Sequence, residues 1–217
     1  MSEPLGLFPL PLVLVPTERI PLHIFEDRYR ELIGECLEEG TEFGFVLATG
    51  DGAVHEIGTR AWVAEVLDEL DDGRMNIVVE GRERFRLLEL TSGRSFTTGL
   101  VEAVVDDDEP AAPADIEQAL ALFGTLVEIS DADVDPPGPE TPQLDFELAA
   151  RVDFGVDAKQ ELLATTSPRR RMERLVALLD QAIELLRIEQ TMRERASRNG
   201  KITHADHGAG PDSGSHD

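Results

Sequence analysis

The stretch "EIGTRAWVAEVLDELDDGRMNIVVEGRERFRLLEL", residues 56–90, decides the fold class. Within it Met75, Ile77 and Val79 alternate with Arg74, Asn76, Val78 and Glu80. A period of two turns one face to a core and the other to water, the pattern of a strand. Asp72-Gly73 falls between two strand-like runs, and Asp-Gly suits a tight hairpin turn. "RAWVAEVL" before the turn and "RERFRLLEL" after it read as further strands of one meander. Gly81 is expected in a backbone conformation closed to residues with a Cβ, at a bulge or sharp bend.

The same reading extends outward. "FTTGLVEAVV" (96–105) is a closing strand. "FGFVLAT" (43–49), the Asp51-Gly52 pair and "AVHEIG" make another strand–turn–strand unit. Short strands at regular spacing predict a small β-barrel or curled sheet. Upstream lies "LFPLPLVLVPTERIPLHIFEDRYREL", residues 7–32, where Pro9, Pro11, Pro16 and Pro21 interrupt an apolar run. Proline cannot donate a ladder hydrogen bond, so the first strand is confined to a sheet edge or to short pieces. One helix then interrupts the β region. In "FEDRYRELIGECLEEG", Phe25, Tyr29, Leu32, Ile33, Cys36 and Leu37 share a face, and Gly40 supplies the stop.

Beyond residue 106 the period becomes helical. "DDDEPAAPAD" (106–115) and "SDADVDPPGPETP" (130–142) read as solvated loops around a helix with Ile116, Leu120, Phe123 and Val127 on one face. "LDFELAARV" and "DAKQELLAT" read as short helices. The long helix that follows has Ser167 as cap, Pro168 in its first turn, and Met172, Leu175, Leu179, Ala182 and Leu186 as its buried stripe. The expected fold is therefore α+β: a small β-barrel with one inserted helix, then an α-helical bundle with a long C-terminal helix. The expected division is 1–106 (barrel), 107–196 (helical subdomain with acidic loops) and 197–217 (a disordered tail).

Composition narrows the functions. The chain has 217 residues, 41% apolar and 29% charged, enough to bury a real core. Its formal net charge is −24. Residues 102–142 hold twelve Asp or Glu and no Lys or Arg, half of that charge. Phosphate binding needs Lys and Arg, so nucleic acid and anionic membranes are not expected partners. Cys36 is the only cysteine, so no internal disulfide or zinc site is expected. The N-terminal run is broken by prolines and preceded by Glu3 without Lys or Arg, unlike an export signal. A cytoplasmic location is the expectation.

Few side chains suggest chemistry. His23, Glu26 and Asp27 could be read as metal ligands or an acid–base pair. They straddle a strand-to-helix junction, however, and Glu26 and Asp27 suit a helix N-terminus. His23 and His55 lack partners for a nucleophilic constellation, and His204, His207 and His216 lie in the tail. No catalytic residue, cofactor or metal is expected. Trp62, the lone tryptophan, fits a half-buried strand position, or an aromatic for peptide capture. Around Gly81, Arg82 and Arg84 belong to a charged surface in which either could be an exposed anchor. Arg169, Arg170 and Arg171 are expected in solvent or against the acidic 102–142 region. The candidate protein-binding residues are Arg19, His23, Trp62, Arg82 and Arg84.

Three stretches together resemble the N-terminal domain of the Lon ATP-dependent proteases. "LFPLPLVLVPTERIPLHIFEDRYREL" is similar to that family's opening. The "IGT" turn, "DG" hairpin and "EGRERFR" corner of residues 56–90 are similar to its second signature. "DAKQELLATTSPRRRMERLVALLDQAIELL" resembles the helical close of the domain. The resemblance spans roughly residues 5–190 and implies a PUA-like barrel followed by a helical bundle, in a stand-alone member of the family. It implies a non-enzymatic module that recognises protein or unfolded polypeptide segments, with a separate Lon-type protease as a further partner to which it would be adaptor or competitor. The GxxxxGK[ST] phosphate loop is absent, and the only lysines, Lys159 and Lys201, sit in nothing like the family's Ser-Lys protease motif. The alternative reading is a small-molecule or RNA binder that uses the barrel.

Overall fold

The computed structural model describes residues 1–50 and 52–202. Strands β1 (Glu3–Leu10) and β2 (Arg19–Ile24) lead into helix α1 (Asp27–Glu39). Strands β3 (Phe43–Leu47), β4 (Ile57–Glu69), β5 (Met75–Thr91) and β6 (Thr98–Ala103) complete the sheet. Helices α2 (Pro113–Ser130), α3 (Leu144–Ala150), α4 (Val156–Ala164) and α5 (Pro168–Ile202) follow. The strand order is β2-β5-β4-β3-β1-β6, and an added β5–β6 pairing closes a barrel. This is the expected α+β architecture, with its Asp72-Gly73 hairpin between β4 and β5 and Gly73 at φ 81°.

One strand does what the sequence assigns to two. β5 runs unbroken for 17 residues. Residues 75–80 pair with β2, residues 85–91 pair with β6, and β4 runs along both halves. The bend falls at Gly81, where the register against β4 slips between Thr59 and Ala61. Gly81 does not have the special dihedral expected of it, since it is not among the positive-φ glycines. It is glycine because the chain packs against it: a Cβ would lie 2.1 Å from the carbonyl oxygen of Val15. The Gly81 N–H donates to the Glu18 carbonyl at 2.8 Å, and the Thr17 N–H donates to the Gly81 carbonyl at 2.9 Å.

The prolines of the opening stretch find separate solutions. β1 is not at an edge. Its residues 3–6 pair with β6 and its residues 7–10 pair in parallel with β3. Each half thus works as a short piece with one ladder, where a missing donor is tolerated. Pro21 sits in β2, which pairs with β5 alone.

α1 closes one end of the barrel. Tyr29, Leu32, Ile33 and Cys36 are buried against Phe8, Phe43, Phe45 and Phe96. Gly40 ends the helix in the left-handed conformation, φ 64°. Two members of the expected face are not in it. Phe25 precedes the helix and is 59% exposed, stacked on His23, and Leu37 is also exposed. A helix face is only as wide as the surface that meets it, and the barrel end stops short of both.

The helical half has its own core, built on Ala119, Phe123 and Leu126 of α2 and Met172, Leu175, Leu178, Leu179 and Ile183 of α5. The expected Ile116, Leu120, Val127, Ala182 and Leu186 pack at its margin. Ser167 caps α5: its hydroxyl accepts from the Arg170 N–H at 3.3 Å and donates to the Glu109 carboxylate at 2.7 Å. Ser167→Ala should cost about 1 kcal/mol, read as a lower urea midpoint with an unchanged slope. An unchanged midpoint would remove the cap from the stability of α5. Helix α5 runs on to Ile202, past the start expected for the tail, and residues 203–217 with their histidines lie outside the described residues.

Barrel and bundle meet over a second apolar cluster, Val13, Val15, Leu47 and Ile57 against Phe146 and Leu163. At its margin lies a charged network. Arg171, only 3% exposed, donates from Nε to Asp145 at 2.5 Å and from Nη2 to Asp106 at 2.7 Å. Arg84 donates to the Leu163 and Thr165 carbonyls at 2.8 and 2.9 Å and to the Asp106 carboxylate. Both guanidinium groups stack over the Phe146 ring, 4.3 and 5.3 Å from its centroid. Glu18 and Lys159 form a further ion pair across the junction.

Candidate functional site

A groove of about 800 Å³ opens where α1 meets the N-terminal part of β1, the outer face of β4 and the loop before β6. Pro4, Leu5, Leu32, Phe96 and Trp62 give it an apolar lining. Gly6 lets the helix approach this closely, since a Cβ there would stand 2.4 Å from Leu32 Cδ1. Phe96 is held beneath the Arg94 guanidinium, 4.6 Å from its centroid. Along β4, Arg60 and Trp62 point the same way because they are two residues apart.

The rim is charged. Arg60 pairs with Glu3 and, at 3.9 Å, with Glu42. Arg94 pairs with Glu35 and, at 3.7 Å, with Glu31. Cys36 lines the wall, but burial pushes its thiol pKa up, so it stays protonated and inert as a nucleophile. An apolar trough with charged edges is suited to holding a side chain or short segment. Among the described residues, no group of three or more His, Cys, Asp or Glu is arranged to hold a metal ion. Nor is any helix there long and apolar enough to cross a membrane.

The five sequence-based candidates divide. Arg19, Glu80 and Trp62 lie side by side across β2, β5 and β4. Arg19 and Arg82 approach the Glu80 carboxylate at 3.9 and 3.2 Å. Arg19, Trp62 and Arg82 therefore share one outer surface, and Trp62 alone of the five also lines the groove. His23 stands at the far end of β2, its Nδ1 2.7 Å from Asn76 Oδ1. Arg84 is corrected outright: it is 5% exposed and fixed between barrel and bundle, so it is no exposed anchor. The helical part covers it, with the Leu163 and Thr165 carbonyls accepting from its guanidinium and the Phe146 ring beneath it. The sequence reading missed Arg60, Arg94 and Phe96. Arg60 carried a signal, its two-residue spacing from Trp62; Arg94 and Phe96 carried none, because they reach the groove through a loop.

Comparison with known proteins agrees with this architecture. The family model of the ATP-dependent protease La (LON) substrate-binding domain matches residues 4–181. A Lon protease of Rhizobium meliloti (strain 1021) is 26% identical over 211 residues, covering 88% of this chain and 26% of its own length. Lon protease 2 of Syntrophobacter fumaroxidans is 26% identical over 213 residues, covering 90% of this chain and 26% of its own length. The chain thus spans about a quarter of the length of these curated relatives. Among solved structures, a Lon N-terminal domain protein from Xanthomonas campestris is 28% identical with a TM-score of 0.65, covering 81% of this chain and 98% of its own. The N-terminal domain of a Mycobacterium avium complex Lon protease, 15% identical with a TM-score of 0.58 over 82% of this chain and 98% of its own, shares the fold. With the family model spanning most of the barrel and bundle, the chain belongs to the LON substrate-binding domain family.

Proposed function

We propose that this chain is a protein-binding module that holds segments of other polypeptides, unfolded ones above all, and carries out no chemistry on them. The observation that carries the reading is the apolar groove with Trp62 on its wall, in a chain of the LON substrate-binding family. Trp62 is half-buried in β4, with Arg19 and Arg82 beside it on the same outer surface. Aromatic and arginine side chains of this kind dominate binding energy at protein interfaces. His23 extends the same surface along β2. In this reading the barrel to residue 106 and the helical part from 107 to 196 act as one unit. The chain serves in the cytoplasm, beside a separate Lon-type protease as adaptor or competitor.

Retention of a chemically unfolded protein on the immobilised chain, compared with its folded form, tests the proposal. Selective retention of the unfolded form is expected, and equal, negligible retention of both would sink it. Trp62→Ala should weaken retention about tenfold or more while leaving the thermal midpoint nearly unchanged, since Trp62 lies outside the buried core. Casein should stay intact with and without ATP. The net charge of −24 predicts no retention of single-stranded RNA.

A further inference from the structure

The rim of the groove has more negative charge than its arginines neutralise. Arg60 is shared between Glu3 and Glu42, and Arg94 between Glu31 and Glu35. Glu39 also lines the groove, and no ion pair reaches it among the described residues. It lies four residues after Glu35 on α1, where like charges repel across one helical turn.

The end of α1 adds to the imbalance. Its last turn contains Glu38 and Glu39 and no basic residue. A helix C-terminus carries partial negative charge that Lys or Arg ordinarily offsets and that acids worsen. This helix therefore ends in a field that attracts a cation. The field adjoins the apolar lining, since Leu32 and Cys36 precede Glu39 by seven and three residues on the same helix face. The fold thus sets a hydrophobic subsite and a cationic subsite side by side.

Resting on the protein-binding role proposed above, we infer that the groove selects polypeptide segments carrying Lys or Arg within a few residues of a bulky apolar side chain. The apolar side chain lies on Leu5, Leu32, Phe96 and Trp62. The cation lies at Glu39 and Glu42, against the C-terminal end of α1. A segment with Asp or Glu at that place meets like charge and is rejected, which is selection by repulsion as well as attraction.

The test uses two peptides of one apolar sequence, one with two Lys and the other with two Glu. Each is titrated into the full chain while the emission of Trp62, the only tryptophan, is followed. The Lys peptide is expected to bind about tenfold more tightly at low salt, with the difference shrinking as salt rises. Glu39→Lys should abolish most of the preference. Glu173→Lys, an exposed position on α5, changes the net charge equally and should leave it intact. Equal binding of both peptides overturns the inference. So does an equal loss in the two variants, which would make bulk charge the cause. Where neither peptide binds but unfolded protein is still retained, the selectivity falls and the protein-binding role stands. Where unfolded protein is not retained either, both fall.

Discussion

Arg171→Ala is expected to destabilise the protein by about 3–5 kcal/mol, the cost of leaving buried charge without its partner. In a chain of this size that is a fall of about 10 °C in thermal midpoint. Arg171 lies between two carboxylates, with Asp145 on Nε and Asp106 on its terminal nitrogens, and it also donates to the Thr165 carbonyl at 2.7 Å. Alanine strands Asp145, whose side chain is 8% exposed. Asp106 suffers less, because about a third of its side chain reaches water and Arg84 still holds it. Arg171→Lys should fall between wild type and alanine, since one ammonium cannot span both carboxylates. Urea unfolding of the three proteins decides the matter, and an alanine variant within about 0.5 kcal/mol of wild type would remove the network from the stability of the junction.

The same network sets the acid limb of stability. Burial pushes the Asp106 carboxyl pKa up, but the hydrogen bond and charge of Arg171, with Arg84, outweigh it and hold the carboxyl below its ordinary range. A carboxyl depressed in the folded state binds its proton less readily there than when unfolded. Its contribution is therefore complete above the ordinary carboxylate range and disappears as pH falls through the depressed value. Stability measured from pH 6 downward should fall less steeply in Arg171→Ala than in wild type, because part of that contribution is already gone. Parallel curves would place the acid sensitivity elsewhere.

Gly81→Ala should cost about 3 kcal/mol, the upper end of the range for overpacking. The obstacle at 2.1 Å is a backbone carbonyl, that of Val15, which cannot rotate away as a long side chain can. Relief requires the segment of residues 13–15 to move, and Val13 and Val15 pack on Phe146 and Leu163. The effect should therefore reach the barrel–bundle junction, and amide exchange should accelerate near Phe146 as well as near Gly81. A loss of stability confined to β5 would refute the close packing of these two segments. Gly73→Ala makes a useful contrast. There the difficulty is the positive φ of 81° in a hairpin turn, the only close neighbour is the flexible Arg30 side chain, and the damage should stay local.

The sequence was most legible where one element meets one environment. Met75, Ile77 and Val79 face the core because alternation along a strand is a local rule. The Asp72-Gly73 turn, the Gly40 stop of α1 and the Ser167 cap of α5 are likewise set within a few residues of chain. Phe25 and Leu37 were misread for the opposite reason. Their burial depends on how far the barrel end extends, which no periodicity in α1 encodes. Arg84 was misread because a charged residue in an alternating strand is expected outside. Its burial needs Asp106 and two carbonyl oxygens, from positions 22, 79 and 81 residues away. The groove was half legible: Trp62 stood out by its rarity, whereas Arg94, Phe96 and Glu39 gain meaning only through α1 and a loop meeting β1.

By itself, then, the sequence determined the kinds of element, their order and the family to which the chain belongs. These follow from periodicity, turn chemistry and caps, which act over distances of a few residues. Only the tertiary structure decided that β5 is one bent strand, that Gly81 is required by the approach of Val15, that Arg84 and Arg171 hold the two halves together, and that a groove with surplus negative charge lies beside Trp62. Those features arise from contacts between residues far apart in the chain, where the partner, not the residue itself, sets burial and charge.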